Sequence, residues 1–311
     1  MQHTIGIDIS KDRLDAFALA SATHRGFDNT AAGIARLIRW IVAQGGALTV
    51  FEPTGRYHAA LERALARAGL AAHKVNPLQA RRFAQATGRL AKSDRIDAGL
   101  LARMGAALAL EAQPQAPEIL TDLKELLTAQ RSLIAARAAE KTRAQATASR
   151  LLQRQIAARI RLFDAQIAAL GAHIETAIAT EPDLARRVDL LASIPGIGRP
   201  TACALAIEMP ELGQLTRAQA AALAGLAPMT RESGKSRGQA QIRGGRPALR
   251  KALYMPAIVA MRFNPDLREK AQRLARNGKP AKVIITAVMR NLLLLANTLL
   301  AENRKWLPTP P

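Results

Sequence analysis

Alternating apolar and polar residues divide the first third of the chain into strands and helices. TIGIDIS alternates as a half-buried strand does, and RLDAFALA is expected to pair with it after a turn at Lys11 and Asp12. Two more strands are expected in ALTVFEPTG and AAHKVNP, and helical spacing is found in GIARLIRWIVAQGG, RYHAALERALARAG and DRIDAGLLARMGAALAL. Strands interleaved with helices predict an α/β domain with a central sheet.

The remaining two thirds of the chain have a helical pattern. Two prolines in QPQAPEI mark a boundary near residue 115, and residues 118–180 are rich in Ala, Leu, Gln and Arg. They predict one long helix or an antiparallel pair broken near Gly171, acting as arms for dimerisation or as a packed connector. From TEPDLARRV onward the pattern predicts helices throughout, and so an all-α third segment. The expected domains are 1–115, 116–183 and 184–311.

Positive charge is in excess and is concentrated towards the C-terminus. The 311 residues include 45 Lys or Arg and 24 Asp or Glu, a formal net charge of +21. Residues 186–311 hold 21 basic and 7 acidic side chains, and so +14 of this charge. Such a surplus favours a polyanionic partner, nucleic acid or an anionic membrane surface. Because 49% of the residues are hydrophobic and spread along the sequence, a globular protein is expected.

Three features argue against a membrane or secreted protein. The N-terminal MQHTIGIDIS lacks the basic and then apolar layout of a signal peptide. The most apolar late run, KVIITAVMRNLLLLANTLL, is interrupted by Arg290, Asn291 and Asn297 and is expected to be too short to span a bilayer. A single cysteine, Cys203, excludes an internal disulfide framework and a cysteine-based zinc site. We expect a cytoplasmic protein without a membrane partner, with Cys203 as a small buried residue.

Four carboxylates in the first third form a candidate metal site. Asp8 lies in the apolar strand IGIDIS, where an acid is costly unless it is paired or binds a metal. Glu52 ends the strand of VFEPTG. Asp94 and Asp97 share one face of a helix, where they repel each other unless a cation lies between them. Converging on a sheet edge, the four could hold one or two Mg²⁺ ions, or Mn²⁺ as a substitute, for phosphodiester cleavage.

Each carboxylate also has an ordinary structural explanation. Asp8 could be an acid next to a turn, and Glu52 a solvated strand end. Asp94 could be the N-cap of the helix that contains Asp97. An actin-like sugar kinase or ATPase would likewise begin with a strand that carries an acid. That class is disfavoured because DAG at 97–99 continues into a helix, because no later glycine-rich adenosine loop is evident, and because binding a nucleotide does not require a charge of +21.

The C-terminal third has the composition of a nucleic-acid-binding surface. SIPGIGRPTACALAIEM has the layout of a helix–hairpin–helix, whose glycines let the backbone approach a phosphate; an ordinary glycine turn is the alternative. Aromatic residues are 3% of the chain, so we expect salt-sensitive contacts to the sugar–phosphate backbone and little base stacking. The candidate nucleic-acid-binding residues are Gly196, Gly198, Arg199, Arg231, Lys235, Arg237, Arg243 and Arg246.

The chain resembles one known family, in five stretches that occur in order: IGIDISKDRLD, FEPTGRYH, KSDRIDAGLLA, LLASIPGIGRPTACAL and LAGLAPMTRESGKSRG. These are similar to the transposases of insertion-sequence family 110, relatives of the Piv-type DNA invertases, over almost the whole chain. The resemblance implies a ribonuclease-H-like (RuvC-like) first domain, a helical, coiled-coil-like arm and a transposase domain. It implies a structured guide RNA that pairs with donor and target DNA, and a homo-oligomer, a dimer or a tetramer. The implied site residues are the metal ligands Asp8, Glu52, Asp94 and Asp97 and the catalytic serine Ser233.

Ser233 lies in the glycine-rich basic run TRESGKSRGQAQIRGGRPALRK and has two explanations. It could simply bind phosphate, or it could form a covalent phosphoserine that conserves the bond energy for strand exchange, with Arg231, Lys235 and Arg237 offsetting charge on the phosphate. The leading interpretation is an RNA-guided DNA transposase. The alternatives are a RuvC-like endonuclease that hydrolyses branched DNA with metal alone and a non-catalytic nucleic-acid-binding protein.

Overall fold

The computed structural model describes residues 3–46, 48–55, 57–88, 94–114, 117–230, 232–233, 236–237 and 240–307. Only the backbone is described at 94–96, 232–233 and 236–237. The chain divides into two compact units, Met1–Glu118 and Ile119–Pro311. Each unit has a hydrophobic core of its own.

The first unit has the predicted α/β fold, a mixed sheet with helices on both faces. Its strands are β1 (Thr4–Ile9), β2 (Arg13–Ala18), β3 (Thr23–Asp28), β4 (Leu48–Phe51) and β5 (Ala72–Lys74). Its helices are α1 (Ala31–Ala43), α2 (Ala59–Arg67), α3 (Pro77–Ala86) and α4 (Asp94–Ala107). The strand order is β3-β2-β1-β4-β5, with β1 antiparallel to β2 and parallel to β4. The β1–β2 turn lies at Lys11 and Asp12, as expected.

Alternate residues of the central strands face different layers of helices. Ile5, Ile7 and Ile9 of β1 join the core formed with α1 and α2. On the other face, Val50 of β4 packs with Leu101 of α4. Because side chains alternate along a strand, the even-numbered residues of β1 face α4.

The backbone of α4 rests directly on that face of β1. The Oγ1 of Thr4 donates a hydrogen bond to the carbonyl oxygen of Ala102 at 2.9 Å. A Cβ atom built on Gly6 would overlap the carbonyl oxygen of Ala98 and the backbone nitrogen of Ala102. Glycine at position 6 therefore permits the close approach of helix and strand, and this contact sets where α4 lies along β1.

The sequence pattern predicts neither β3 nor α3. β3 is an edge strand in which Phe27 alone is buried, so its residues do not alternate between apolar and polar. Pro77, the last residue of the segment AAHKVNP in which a strand is expected, begins α3. Asn76 caps that helix, with its side chain accepting a hydrogen bond from the backbone nitrogen of Leu78 at 2.9 Å.

The second unit is mostly helical, with a short antiparallel ribbon before its last three helices. The helices are α5 (Glu118–Gln145), α6 (Arg150–Ala179), α7 (Pro182–Ala192), α8 (Arg199–Glu208), α9 (Arg217–Leu223), α10 (Pro247–Phe263), α11 (Pro265–Arg276) and α12 (Ala281–Ala301). By ribbon we mean two separate antiparallel pairs, β6 (Pro228–Met229) with β9 (Gln241–Ile242) and β7 (Glu232–Ser233) with β8 (Ser236–Arg237). The prediction of an all-α third segment is therefore wrong, because strands of two residues are too short to show a period of two.

The long helical region is an antiparallel pair whose break lies at residues 146–149, so the predicted break near Gly171 is wrong. Gln130 of α5 donates to the carbonyl oxygen of Ile167 on α6 at 3.1 Å, and Arg137 pairs with Asp164 at 2.6 Å. A Cβ on Gly171 would come within 3.1 Å of the Gln130 Nε2. Glycine at this position makes room for a side chain of the neighbouring helix and does not end α6.

α12 is long and apolar enough to cross a membrane by length and composition, so the prediction that this run is too short is wrong. In the second unit, however, α12 is a core helix. Leu292 and Leu293 are fully buried, and the helix packs against α7, α9, α10 and α11. The polar Asn297 is satisfied inside this core: its Nδ2 donates to the carbonyl oxygen of Leu215 at 2.8 Å, and its Oδ1 accepts from the nitrogen of Gly213 at 2.9 Å.

Gly6→Ala is expected to destabilise the first unit by about 3 kcal/mol or more, because the added methyl overlaps backbone atoms that cannot rotate away. Gly99→Ala in α4 is the matched control. Its Cβ would make ordinary contacts with Arg103 at 3.7 Å and Phe17 at 3.8 Å, and alanine favours a helix over glycine by about 1 kcal/mol. Thermal unfolding followed by circular dichroism measures both variants. A Gly6→Ala protein as stable as the wild type would contradict the packing of α4 on β1.

Candidate active site

Asp8 and Glu52 are neighbours across the two central parallel strands. β1 and β4 pair in register up to Ile7 and Phe51, so Asp8 and Glu52 are the next pair in that register. Val50 faces α4, and strand alternation directs Glu52 to the same side as Asp8. Both residues are half-buried. They lie at the carboxyl ends of β1 and β4.

The first turns of α4 lie beside this pair. Gly6 contacts α4 at Ala98, and Asp8 is one strand repeat, about 6.6 Å, further along β1. α4 runs in the opposite direction and covers that distance in about four residues. Residues 94–98 are therefore beside Asp8, and Asp97 in this turn is half-buried.

This set of donors suits a hard divalent cation. Carboxylate oxygens are the ligands that Mg²⁺ prefers, and Asp8, Glu52 and Asp97 come to one end of the sheet from two strands and a helix. Asp94 begins α4, and its side chain lies outside the described residues. Among the side chains that the structure describes, no three Asp, Glu, His or Cys residues are close enough together to hold an ion.

A fifth carboxylate, not among the site residues predicted from the sequence, lies on the same face of the sheet. Asp15 of β2 is the cross-strand partner of Asp8 and is buried. Its two oxygens accept hydrogen bonds from the Nε of Arg13 at 3.2 and 3.0 Å, and Oδ1 lies 3.4 Å from the Nε2 of His24. The turn at 11–12 sets this register, so counting outward from the predicted turn would have identified Asp15.

The side-chain amide of Asn29 forms hydrogen bonds to the segments that follow β1 and β4. The Nδ2 of Asn29 donates to the carbonyl oxygen of Ser10 at 2.9 Å and to that of Tyr57 at 3.2 Å. Ser10 follows β1, and Tyr57 lies in the segment after Glu52. Asn29 therefore restrains the segments that follow Asp8 and Glu52, and nothing in the local sequence pattern indicates this role.

Ser233 lies in β7, one strand of a short antiparallel pair in the second unit. β7 and β8 are antiparallel, with Ser233 opposite Ser236, and β6 and β9 form a second, separate antiparallel pair. The expected loop is therefore a hairpin in its backbone. The side chains of Ser233, Ser236 and Arg237 lie outside the description, and Arg231 and Lys235 lie outside the described residues altogether.

Two arginines that are predicted to contact nucleic acid form ion pairs with carboxylates of the second unit. Arg199 pairs with Glu175 at 2.6 Å and with Asp189 at 2.9 Å, and these hydrogen bonds, first to Glu175, raise the pKa of Arg199. Arg246 binds both oxygens of Glu211, at 2.9 and 2.6 Å. Both guanidinium groups are held by the protein, and a contact of either with nucleic acid stays a prediction.

The turn between α7 and α8 contains two glycines in different surroundings. Gly196 has a φ of 104°, and a Cβ there would come within 2.7 Å of the Cβ of Ala260, so this glycine allows α10 to pack closely. A Cβ on Gly198 would meet the Cδ of Pro200 at 3.8 Å, an ordinary contact that leaves room for a ligand. The helix–hairpin–helix and its phosphate contacts stay predictions, as does binding at the exposed Arg243.

Comparisons with known proteins agree over nearly the whole chain. Residues 5–152 match a transposase family model of the IS110 DEDD type, and residues 188–272 match the model of the transposase IS116/IS110/IS902 family. Pilin gene-inverting proteins of Moraxella bovis and Moraxella lacunata are each 33% identical over 97% of this chain and 97% of their own. The insertion element IS110 uncharacterized 43.6 kDa protein of Streptomyces coelicolor is 36% identical over 29% of this chain and 23% of its own.

A solved structure of T. thermophilus RuvC with a Holliday junction substrate is 13% identical and covers 36% of this chain and 99% of its own, with a TM-score of 0.28. A TM-score this low carries no argument about the site.

The family models and the relatives of full length define the class of the protein, a DNA transposase or recombinase. The chain belongs to the IS116/IS110/IS902 family of transposases.

Asp15→Asn is expected to lower the free energy of unfolding by about 1–3 kcal/mol, because the buried anion that accepts hydrogen bonds from Arg13 is lost. Asp28→Asn is the matched control. Asp28 also pairs with an arginine, Arg36, but its side chain is 71% exposed, and such pairs contribute about 0.2–1 kcal/mol. Urea denaturation measures both variants. An Asp15→Asn protein no less stable than the Asp28→Asn protein would mean that the buried pair contributes no more than an exposed one.

Proposed function

We propose that this transposase cuts and rejoins donor and target DNA at a site in which Asp8, Glu52, Asp94 and Asp97 hold one or two Mg²⁺ ions, with Mn²⁺ as a substitute. The pairing register carries this proposal, because it makes Asp8 and Glu52 adjacent on the face that α4 covers. We propose in addition that the site is RuvC-like and that residues 1–115 form its domain.

Bound magnesium would supply positive charge to the attacking and leaving oxygens of the phosphodiester. The carboxylates of Asp8 and Glu52 would be held for this purpose by rigid strands, and Asp97 by a helix whose backbone rests on Gly6. Asp15 would serve as a positioning residue. Its carboxylate accepts hydrogen bonds from Arg13 on β2 and lies 3.4 Å from the Nε2 of His24 on β3, so Asp15 would link the two strands beside Asp8.

We propose that Ser233 is the nucleophile. Its Oγ would form a bond to phosphorus as the bond from phosphorus to one sugar oxygen breaks, and the Oγ proton would leave as the sugar hydroxyl gains one. A hydroxyl of the second DNA strand would then attack the same phosphorus and release the serine. The number of phosphoester bonds is unchanged, so no external energy source is required. The same cut and exchange would account for inversion of a DNA segment, the reaction named in the Moraxella relatives.

We propose that a structured guide RNA supplies sequence recognition and that the active form is a homo-oligomer, a dimer or a tetramer. The support is compositional. The strongly basic C-terminal third suits sugar–phosphate contacts, and an aromatic content of 3% offers few platforms for bases. Base pairing by a guide would leave the protein to bind backbone and shape. We assign the arm to residues 116–183 and the transposase domain, with its helix–hairpin–helix, to residues 184–311.

Ser233→Ala and Asp8→Ala are each expected to lower the yield of covalent protein–DNA adduct by at least about 10³-fold, the order expected when a nucleophile or its activating group is lost. Ser236→Ala is the matched control, because Ser236 lies directly opposite Ser233 in the hairpin. The measurement uses the full chain expressed with its native flanking DNA, with donor DNA, target DNA and Mg²⁺ added. Denaturing gels then detect DNA linked to protein.

Two results of that assay would contradict the proposal in different ways. Cleavage without an adduct, unaffected by Ser233→Ala, would indicate a metal-only endonuclease and leave Ser233 as a phosphate ligand. Adduct formation that survives Asp8→Ala would mean that the serine acts without the carboxylate site.

Omitting the RNA transcribed from the flank tests the guide, because adduct formation is then expected to lose its dependence on target sequence.

A further inference from the structure

The second unit contains a cavity that the proposed chemistry does not use. Its volume is about 740 Å³, and it lies between the N-terminal half of α12, α11, the start of α9 and the base of the ribbon. Small-molecule sites in proteins usually have about 300–1,000 Å³, so the space suits a nucleotide better than a single phosphate ion. The basic residues on its lining are Arg217, Lys270, Lys282 and Arg290, and no Asp or Glu is among the lining residues that the structure describes.

The charges of this cavity are not neutralised by the described part of the protein. Among the described side chains, no ion pair joins any of these four cations to a carboxylate, in contrast to Arg199 and Arg246 in the same unit. Burial lowers the pKa of Lys270, and the neighbouring Arg273, Arg290 and Arg217 lower it further by repulsion. Cations gathered without counter-charge destabilise the free protein and are stabilised by a bound polyanion.

The cavity combines this charge with an apolar floor. Leu226, Leu294 and Ile242 contribute aliphatic side chains beside the basic groups. On α12, Lys282, Thr286 and Arg290 are spaced by four residues, so all three line the same side of the helix. A linear array of cations next to an aliphatic surface matches a strand of nucleic acid that presents phosphates on one side and unpaired bases or sugars on the other.

We propose that this cavity binds a single-stranded segment of nucleic acid, with the phosphates on Lys270, Lys282, Arg217 and Arg290 and one unpaired nucleotide against the aliphatic floor. A duplex keeps its bases stacked inside and would present no unpaired nucleotide to this floor. The proposal does not depend on the metal site or on Ser233, and binding in the presence of EDTA keeps the two separable. DNA and RNA strands share the required chemistry, and separate oligonucleotides distinguish them.

The first test measures affinity by fluorescence anisotropy with labelled single-stranded DNA, single-stranded RNA and duplex DNA of one sequence, in EDTA, between about 50 and 200 mM salt. The full-length double variant Lys270→Gln/Arg290→Gln is expected to bind single strands roughly tenfold more weakly. Its slope of log K against log salt should fall by about 1.4, or about 0.7 for each lost contact. Its thermal stability should be unchanged or higher, because uncompensated positive charge is removed.

The matched control is Arg268→Gln/Arg276→Gln, which removes the same charge from exposed positions of α11 that do not line the cavity. An equal loss in both double variants would mean diffuse surface attraction and would overturn the proposal. So would a loss for duplex equal to that for single strands, or a loss of binding that follows a loss of thermal stability. A preference of the wild type for the RNA strand over the DNA strand, removed by the cavity variant alone, would identify the ligand as RNA.

A second test reports on the cavity itself. The native Cys203 is buried, as expected, and burial followed by Glu175 raises the pKa of its thiol to about 12, so a labelling reagent at neutral pH should leave it unmodified. Val283→Cys places a reactive thiol on the cavity lining, at a side chain that is 49% exposed. Single-stranded oligonucleotide should change the emission of an environment-sensitive dye at position 283 and leave the same dye at Arg276→Cys unchanged. Equal responses at both positions would contradict a defined site.

Discussion

The close contact of one helix with one strand determines the geometry on which the first unit depends. Gly6 has no side chain, so α4 lies with its backbone on β1, and the hydrogen bond from Thr4 to Ala102 fixes where along the strand it rests. From that contact the strand repeat and the helical rise bring Asp97 beside Asp8. The parallel register of β1 and β4 adds Glu52. Glycine at position 6 therefore helps to set both the packing of α4 on the sheet and the position of Asp97 relative to Asp8.

Much of this arrangement could be predicted from the sequence, because it follows from local rules. The alternation in TIGIDIS, the turn at 11–12 and the apolar strand before Glu52 fix β1, β2 and β4, and they identify the acids that the strands carry. Counting the strand register outward from the turn would also have identified Asp15 as the cross-strand partner of Asp8. The local rules could not give β3, whose side chains are mostly exposed. Nor could they show that Gly171 accommodates Gln130 inside a continuous helix, since that depends on a contact between residues far apart in sequence.

The second unit uses its basic residues in two ways that composition alone does not separate. Some arginines form contacts within the unit. Arg199 pairs with Glu175 and Asp189, and Arg246 pairs with Glu211. The half-buried Arg187 donates to the carbonyl oxygens of Pro210 and Leu212 at 3.0 and 2.9 Å. Others, around the cavity beside α12, have no carboxylate partner among the described side chains. Arg199 and Arg246 are predicted from the sequence to contact nucleic acid, and in the structure both are paired with carboxylates. Only the structure shows which basic side chains pair with a carboxylate and which have no such partner among the described side chains.

The central claim is that Asp8 and Glu52 share an ion on the face of the sheet covered by α4. The most direct test is anomalous diffraction from crystals of the full chain grown with Mn²⁺. We predict a peak about 2.1 Å from carboxylate oxygens of both Asp8 and Glu52, with Asp97 or Asp94 completing the site, and no such peak in Asp8→Asn crystals. A structure in which Mn²⁺ binds elsewhere, or in which Asp8 and Glu52 leave opposite faces of the sheet, would contradict the account.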